Sequence, residues 1–454
     1  AAAVLGGVGL GVGDAVPDSA DVAIFPATLT TNLPELDAAD QVYQLNFQKT
    51  DGGWTLDGAG VELTLRSRNN SEKTVFVDAA TSGTTTINPD LKFAGFAPYI
   101  FDLSSGGTVQ FNGATTFTNT SQGELEVNEG TLVLGDVDFT SAGGTFAPLN
   151  NGTGTVELTG TMGPNVGIVE IQGEGKLGEG GEDTSFLVLH HKDVFGDADI
   201  VFDGSTQVRN ISATMDLTGD DAIPNTLSEV KGQGGKGRIR YIGDHSMEFA
   251  GDVSMTQSGN TSRWQSDVAA GKKVEFSGDV DVSNTLNPST KYDIAVFGDG
   301  VMEFSGNVSG SGAIYRPRED GQTGTLIFSG TASYQGATTI HTGNLIVNGD
   351  ASGLTGDMRI RSIEADAIPA DNNQATLAGT GTIGAPTVTM HGKLNPGAEL
   401  SDSAGLLTFT GDMNMVIDIT AAYGSGVPDD PIVNIELGGT TRGTDYDAFA
   451  VQGA

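Results

Sequence analysis

The chain has 454 residues, of which 67 are Gly, 15 Pro, 2 Trp and none Cys, and its formal net charge is −36. Without Cys there is no disulfide framework, thiol catalysis or Cys-based zinc site, and the negative field makes nucleic acid and anionic membrane surfaces unexpected partners. No apolar run approaches the ~20 residues of a membrane-spanning helix.

The opening residues 1–13 are apolar and Gly-rich, with Val4, Leu5, Val8, Leu10 and Val12 as the larger side chains. They read as the end of a signal peptide or as an N-terminal strand, and a bare apolar strand of this kind suits addition to the end of a neighbouring copy. Residues 14–105 read as an N-terminal cap with the first strands. Val61-Glu62-Leu63-Thr64-Leu65 alternates with period two, as a half-buried strand does. Helical periodicity is nearly absent throughout.

Residues 106–454 repeat one unit, an apolar residue two positions before Phe, then a small residue and Gly. It occurs around Phe111, Phe249, Phe276, Phe304, Phe328 and Phe409, with Leu158 in place of Phe in a variant. Phe249, Phe276, Phe304 and Phe328 are 27, 28 and 24 residues apart, and the 81 residues from Phe328 to Phe409 equal three steps of 27. Phe111 to Leu158 is 47, close to two steps of 24. A step of about 24–28 residues with two or three short strands is one coil of a β-solenoid. The expected fold is therefore all-β, a right-handed parallel β-helix of on the order of seventeen coils and roughly 80 Å, its rungs about 4.8 Å apart. Phe111, Leu158, Phe249, Phe276, Phe304, Phe328 and Phe409 are expected to form an interior ladder, with Gly turning the corners. Each coil is too thin to bury its own apolar face and depends on its neighbours.

The stretch Gly324-Thr325-Leu326-Ile327-Phe328-Ser329-Gly330, then Tyr334-Gln335-Gly336-Ala337-Thr338-Thr339-Ile340 and Gly343-Asn344-Leu345-Ile346-Val347-Asn348-Gly349, resembles the autotransporter-associated β-strand repeat. Leu377 to Gly384, Leu394-Asn395-Pro396-Gly397 and Leu406 to Gly411 continue the resemblance, as does Ile435 to Asp447. It is specific over about residues 300–454 and weaker upstream. The resemblance implies a secreted, passenger-like β-helix at the cell surface or outside the cell, with no catalytic residues to carry over. No alternating amphipathic strands follow Tyr446, so a translocator barrel is not expected within these residues.

Candidate chemistry is sparse. His190 and His191 are adjacent and would face opposite sides of a strand, which disfavours joint metal binding. His245, His341 and His391 are isolated in sequence. No cofactor is expected, although Asp197 with Asp199 and Asp279 with Asp281 would project from one face of a strand and suit Ca²⁺ or paired-acid chemistry. Arg238 and Arg240, or Arg359 and Arg361, suit neutralisation of a uronate. The reading is a structural or adhesive exoprotein, not an enzyme, that partners with itself as an oligomer or filament and with glycans or a cell surface. A carbohydrate-active β-helix enzyme, a lyase or hydrolase, is the alternative, with a glycan-binding adhesin beside it.

Overall fold

A computed structural model describes residues 2–4, 22–25, 40–48, 53–67, 73–77, 83–95, 97–103, 106–119, 123–148, 154–171, 186–202, 205–210, 216–229, 238–255, 262–283, 291–316, 322–360, 375–390, 392–398, 400, 404–415, 432–433 and 448–451. Secondary structure in these residues is short β-strands with two single-turn 3₁₀ segments, Lys192–Phe195 and Gly219–Asp221. The chain divides into two compact units, Ala1–Thr214 and Met215–Ala454. Each is a parallel β-helix: a strand pairs in parallel with the strand one coil further on, and three faces alternate along the chain.

In the first unit, face one runs from Ala2–Val4 through Val22–Phe25 and Gln44–Phe47 to Asp199–Phe202. Face two runs from Thr55–Leu56 to Ser205–Asn210. Face three stacks Asp40–Val42, Glu62–Ser67, Asp90–Gly95, Thr115–Phe117 and Val137–Phe139. In the second unit, face one runs from Leu227–Glu229 to Ala448–Val451, face two from Arg238–Gly243 to Asp412–Met415, and face three from Met247–Phe249 to Ile432–Val433.

Alternation explains why these segments are strands. Thr108–Phe111, Lys273–Phe276, Val301–Phe304 and Thr325–Phe328 each bury their second and fourth residues and leave the first and third toward solvent. Because pairing is in register, each buried side chain lies on its equivalent in the next coil. Phe249, Phe276, Phe304 and Phe328 form such a column on face three of the second unit, with ring centroids 5.6, 5.4 and 5.6 Å apart and near-parallel planes. Beside it runs an aliphatic column of Met247, Val274, Met302, Leu326, Leu345, Leu377 and Leu394.

The expected single ladder is divided among faces. Phe111 and Leu158 lie on face two of the first unit, in one column with Ile87, Leu134 and Leu189. Phe409 is buried on face one of the second unit, in register with Ile383 and Val451. Counting in steps of 27 misplaces it because coil length is not constant. Leu326, Leu345, Leu377 and Leu394 are in register yet 19, 32 and 17 residues apart, so the third coil after Phe328 ends well short of residue 409.

The repeat glycines also act differently from expectation. Gly251, Gly278, Gly306, Gly330 and Gly349 are absent from the positive-φ set that a corner residue would join. Instead they stack on one another. A Cβ on Gly278, Gly306, Gly330 or Gly349 would lie 2.2, 2.0, 2.0 or 1.8 Å from the carbonyl oxygen of the glycine one coil earlier. Backbone meets backbone there, so no side chain can swing aside. Gly306→Ala is expected to destabilise the second unit by about 1–3 kcal/mol, as overpacking does. Gly106→Ala, where nothing lies within 4 Å of the new Cβ, should change the urea midpoint by less than the equivalent of about 0.5 kcal/mol.

Candidate functional site

The outward positions of the repeat carry its polar chemistry. On face three of the second unit, Glu248, Glu275 and Glu303 are in register, so three carboxylates stand on successive rungs. Like charges at that spacing repel, and the next coil supplies the remedy. Ser277 Oγ donates to Glu248 Oε1, Ser305 Oγ to Glu275 Oε1 and Ser329 Oγ to Glu303 Oε1, each at 2.5 Å. The second oxygens are met by the Gly219 N–H on Glu248 at 2.7 Å and by Lys273 Nζ, which bonds Glu303 at 2.9 Å and also Glu275. Burial works against the Lys273 charge, but its bonds to Glu275 and Glu303 outweigh that and push its pKa up. The Glu-Phe-Ser-Gly motif is thus fully accounted for: Phe fills the interior, Gly admits the neighbouring backbone, and Ser binds the previous Glu.

Other acidic and amide side chains do the same work at corners. Asp90, Asp136 and Asp138 each accept a main-chain N–H from the following coil, from Ala114, Thr161 and Asn165, at 2.9–3.0 Å. Asn88 donates to Asp57 at 2.6 Å and Asn112 donates to Asn88 at 2.8 Å, an amide ladder along the axis. These carboxylates are therefore bonded between coils.

The proposed Ca²⁺ residues share a face within each pair, flanking buried Ala198 and buried Val280. Asp197 and Asp199 are exposed. Asp279 N–H donates to Asp252 Oδ1 at 3.2 Å, and Asp281 Oδ1 accepts the Ser283 N–H at 2.8 Å, a local turn bond. Among the described residues no group of three or more His, Cys, Asp or Glu could hold a metal ion, whereas Ca²⁺ takes six to eight oxygens.

The histidines are similarly dispersed. His190 Nε2 lies 3.0 Å from Glu157 Oε2, His191 Nε2 is 3.2 Å from the Thr159 carbonyl, and His341 is buried with its ring edge-on to Tyr315 at 5.2 Å. His391 lies outside the described residues. His245 Nδ1 is 3.6 Å from Asp216 Oδ1, and Asp216 accepts both from Lys272 Nζ, at 2.9 and 3.1 Å, and from the Ser246 N–H at 2.8 Å. Burial alone would raise the Asp216 pKa; the bonds from Lys272 and Ser246 and the nearby Lys272 and His245 charges hold it below the usual carboxylate range. A depressed carboxylate stabilises the fold above its unfolded pKa, and that contribution is lost as pH falls through the lower, folded value. The urea midpoint of the second unit should therefore drop between neutral pH and pH about 3. Asp216→Asn should be less stable at pH 7 and lose less on acidification.

Of the N-terminal assembly residues, Val4 belongs to strand Ala2–Val4, which pairs in register with Val22–Ile24 of the same chain. Leu5, Val8, Leu10 and Val12 lie outside the described residues. Arg359 is exposed and Arg240 half-buried on face two of the second unit, and Arg361 lies outside the described residues.

Two features were not anticipated from sequence. Phe93, Phe117 and Phe139 form a second aromatic column on face three of the first unit, with centroids 5.1 and 5.3 Å apart. Their signal was legible as apolar-or-Thr, any residue, Phe, then Ala or Thr, at spacings of 24 and 22. Arg316 is the other. It is fully buried on the inward side of face two, and its guanidinium donates to the carbonyls of Val296, Gln322, Gly324 and Asn344 at 2.8–3.2 Å. Gly343, at φ +69°, leaves room for it, since a Cβ there would sit 2.1 Å from Nη2.

The arrangement defines a parallel β-helix in which outward carboxylates such as Glu248, Glu275 and Glu303 are bonded from coil to coil. A stretch of 101 residues, 22% of this chain, is 37% identical to the adhesin BmaC autotransporter of Brucella suis biovar 1 (strain 1330). The match spans 2% of that protein's length. No family model and no solved structure matches the chain, so the resemblance to the autotransporter-associated repeat stands as partial similarity to an autotransporter adhesin. Among the described residues no helix is long and apolar enough to cross a membrane.

Proposed function

We propose that this chain is a non-catalytic scaffold at the cell surface or outside the cell, with an adhesive role. The observation that carries the reading is the coil-to-coil use of polar side chains: the Glu248, Glu275 and Glu303 carboxylates are engaged by Ser277, Ser305, Ser329 and Lys273 instead of lining a cleft. The partial similarity to an autotransporter adhesin supports the same reading. Beads coated with the purified chain are expected to adhere to cell or glycan-coated surfaces above albumin-coated beads; equal retention would overturn it. Incubation with acidic polysaccharides is expected to release no new reducing ends, and release would favour a lyase or hydrolase.

The reading includes head-to-tail assembly through end strands. Ala2–Val4 is uncharged and apolar, and it already occupies a strand position on Val22–Ile24. The equivalent position on another copy would accept it by the same main-chain bonds, and such a heterologous contact propagates. Deleting residues 1–13 is expected to abolish polymers seen by electron microscopy while leaving folded coils. Unchanged polymers would dispose of the assembly step.

A further inference from the structure

Cations concentrate in one part of the second unit. Ten of the 22 Lys and Arg fall within residues 231–318 of a chain whose net charge is −36. Of the acids of this region, Glu248, Glu275 and Glu303 lie on face three and Asp281 on face one, while Asp267 and Asp293 share face two with the cations. Face two instead brings residues from across 120 positions of sequence into one register column: Arg238, Arg263, Asp293, Tyr315, Thr339 and Arg359 on successive rungs. The matching column of the first unit reads Thr86, Gln110, Val133, Glu157, Val188 and Arg209, with a single cation on its last rung.

Within the column Tyr315 and Thr339 are half-buried and Arg359 is exposed. Lys291 places its Nζ 4.5 Å from the Tyr315 ring centroid, which adds a second cation beside the aromatic ring. Arg240, on the neighbouring column, is paired with Asp267 and stays local. At about 4.8 Å per rung, Arg238 to Arg359 spans roughly 24 Å along the axis. A linear ligand lying along the coils would meet every rung in turn.

We infer that face two of the second unit binds a linear carboxylated polysaccharide, with Arg238, Arg263 and Arg359 on its carboxylates and Tyr315 and Thr339 on its sugar rings. This rests on the adhesive reading above and names its ligand class. Guanidinium forks match carboxylates bidentately, aromatic rings and hydroxyls suit the rest of a sugar, and the sheet presents them in a straight row. A denser polyanion such as a nucleic acid is opposed by the charge of the whole chain.

The test is binding of the full chain to immobilised polygalacturonate, dextran and dextran sulfate by biolayer interferometry. The native chain is expected to bind polygalacturonate and not dextran, with affinity falling as salt rises. The triple variant Arg238→Gln, Arg263→Gln, Arg359→Gln should bind about tenfold more weakly or worse. The charge-matched control Arg66→Gln, Lys92→Gln, Lys192→Gln in the first unit should bind like the native chain. Equal binding to dextran and polygalacturonate, equal loss in both triple variants, or tighter binding to dextran sulfate would each overturn the assignment. Bead adhesion measured in parallel separates the two readings. Beads that still adhere when coated with the face-two triple variant remove this site and leave the adhesive role; native beads that adhere nowhere remove both.

Discussion

Phe276→Ala is expected to lower the stability of the second unit by about 3–5 kcal/mol, the usual cost of emptying a large aromatic site in a core. Phe276 sits mid-column, stacked between Phe249 and Phe304 at 5.6 and 5.4 Å, with Trp264 at 4.9 Å and Tyr241 at 6.0 Å across the interior. Truncation removes two stacked pairs, one edge-on pair with Tyr241 and one tilted pair with Trp264, each such pair being worth about 0.5–1.5 kcal/mol beyond its buried area. The coils above and below are held apart by main-chain bonds at a fixed rise, so the cavity cannot collapse. Each unit contains one buried Trp, Trp54 and Trp264, which makes the measurement selective. In a Trp54→Phe background, Trp264 fluorescence during urea unfolding reports the second unit, and a midpoint shift under about 1 kcal/mol would contradict a rigid aromatic column.

Arg316→Met is the second large effect, again about 3–5 kcal/mol destabilising. Burial pushes the Arg316 guanidinium down to about 9, still protonated at neutral pH. Its partners are four main-chain carbonyls contributed by successive coils: Val296, then Gln322 and Gly324, then Asn344. A buried ion pair can be exchanged for apolar residues when both partners are replaced. Here the acceptors are backbone and remain whatever residue takes position 316; all four lose the guanidinium, and Val296 and Gly324 keep a main-chain donor, from Gly324 and Asn344. Lys should rescue in part, because a single ammonium cannot reproduce the planar fork. Equal unfolding midpoints for the native chain and Arg316→Met would show that the carbonyls find other donors.

Much of the fold was legible because the solenoid repeats its own instructions. Phe249, Phe276, Phe304 and Phe328 announce a coil by spacing alone, and Val61 to Leu65 announces a strand by alternation. The failures have physical causes. Phe409 was assigned to the wrong face because loops of different length insert between strands without disturbing register, so arithmetic on residue numbers drifts while pairing does not. The Phe93, Phe117 and Phe139 column is harder to read because only Phe93 is followed by the repeat glycine, Gly95, which meets the Ser67 carbonyl; Phe117 and Phe139 are followed by Thr and then Asn or Ser. Glycine itself was assigned to corners, whereas Gly278, Gly306 and Gly330 are required by a neighbouring carbonyl, a contact between coils that no local rule foresees. Arg316 reads as a solvent residue in any sequence pattern, and its burial depends on acceptors 20 residues upstream and 28 downstream. The face-two column was equally hidden, since Arg238 and Arg359 become neighbours along one row only through five successive pairings.

Register between adjacent coils is the claim that everything else requires, and the absence of native Cys makes it directly measurable. Gln110, Val133 and Glu157 occupy one outward column of the first unit on successive rungs. Gln110→Cys with Val133→Cys places two Cα atoms about 4.8 Å apart, within the range a disulfide spans, whereas Gln110→Cys with Glu157→Cys places them at roughly twice that distance. Mild oxidation followed by non-reducing electrophoresis and peptide mapping should show the first pair joined and the second not. A 110–157 bridge in the absence of a 110–133 bridge would contradict the stacked parallel coils.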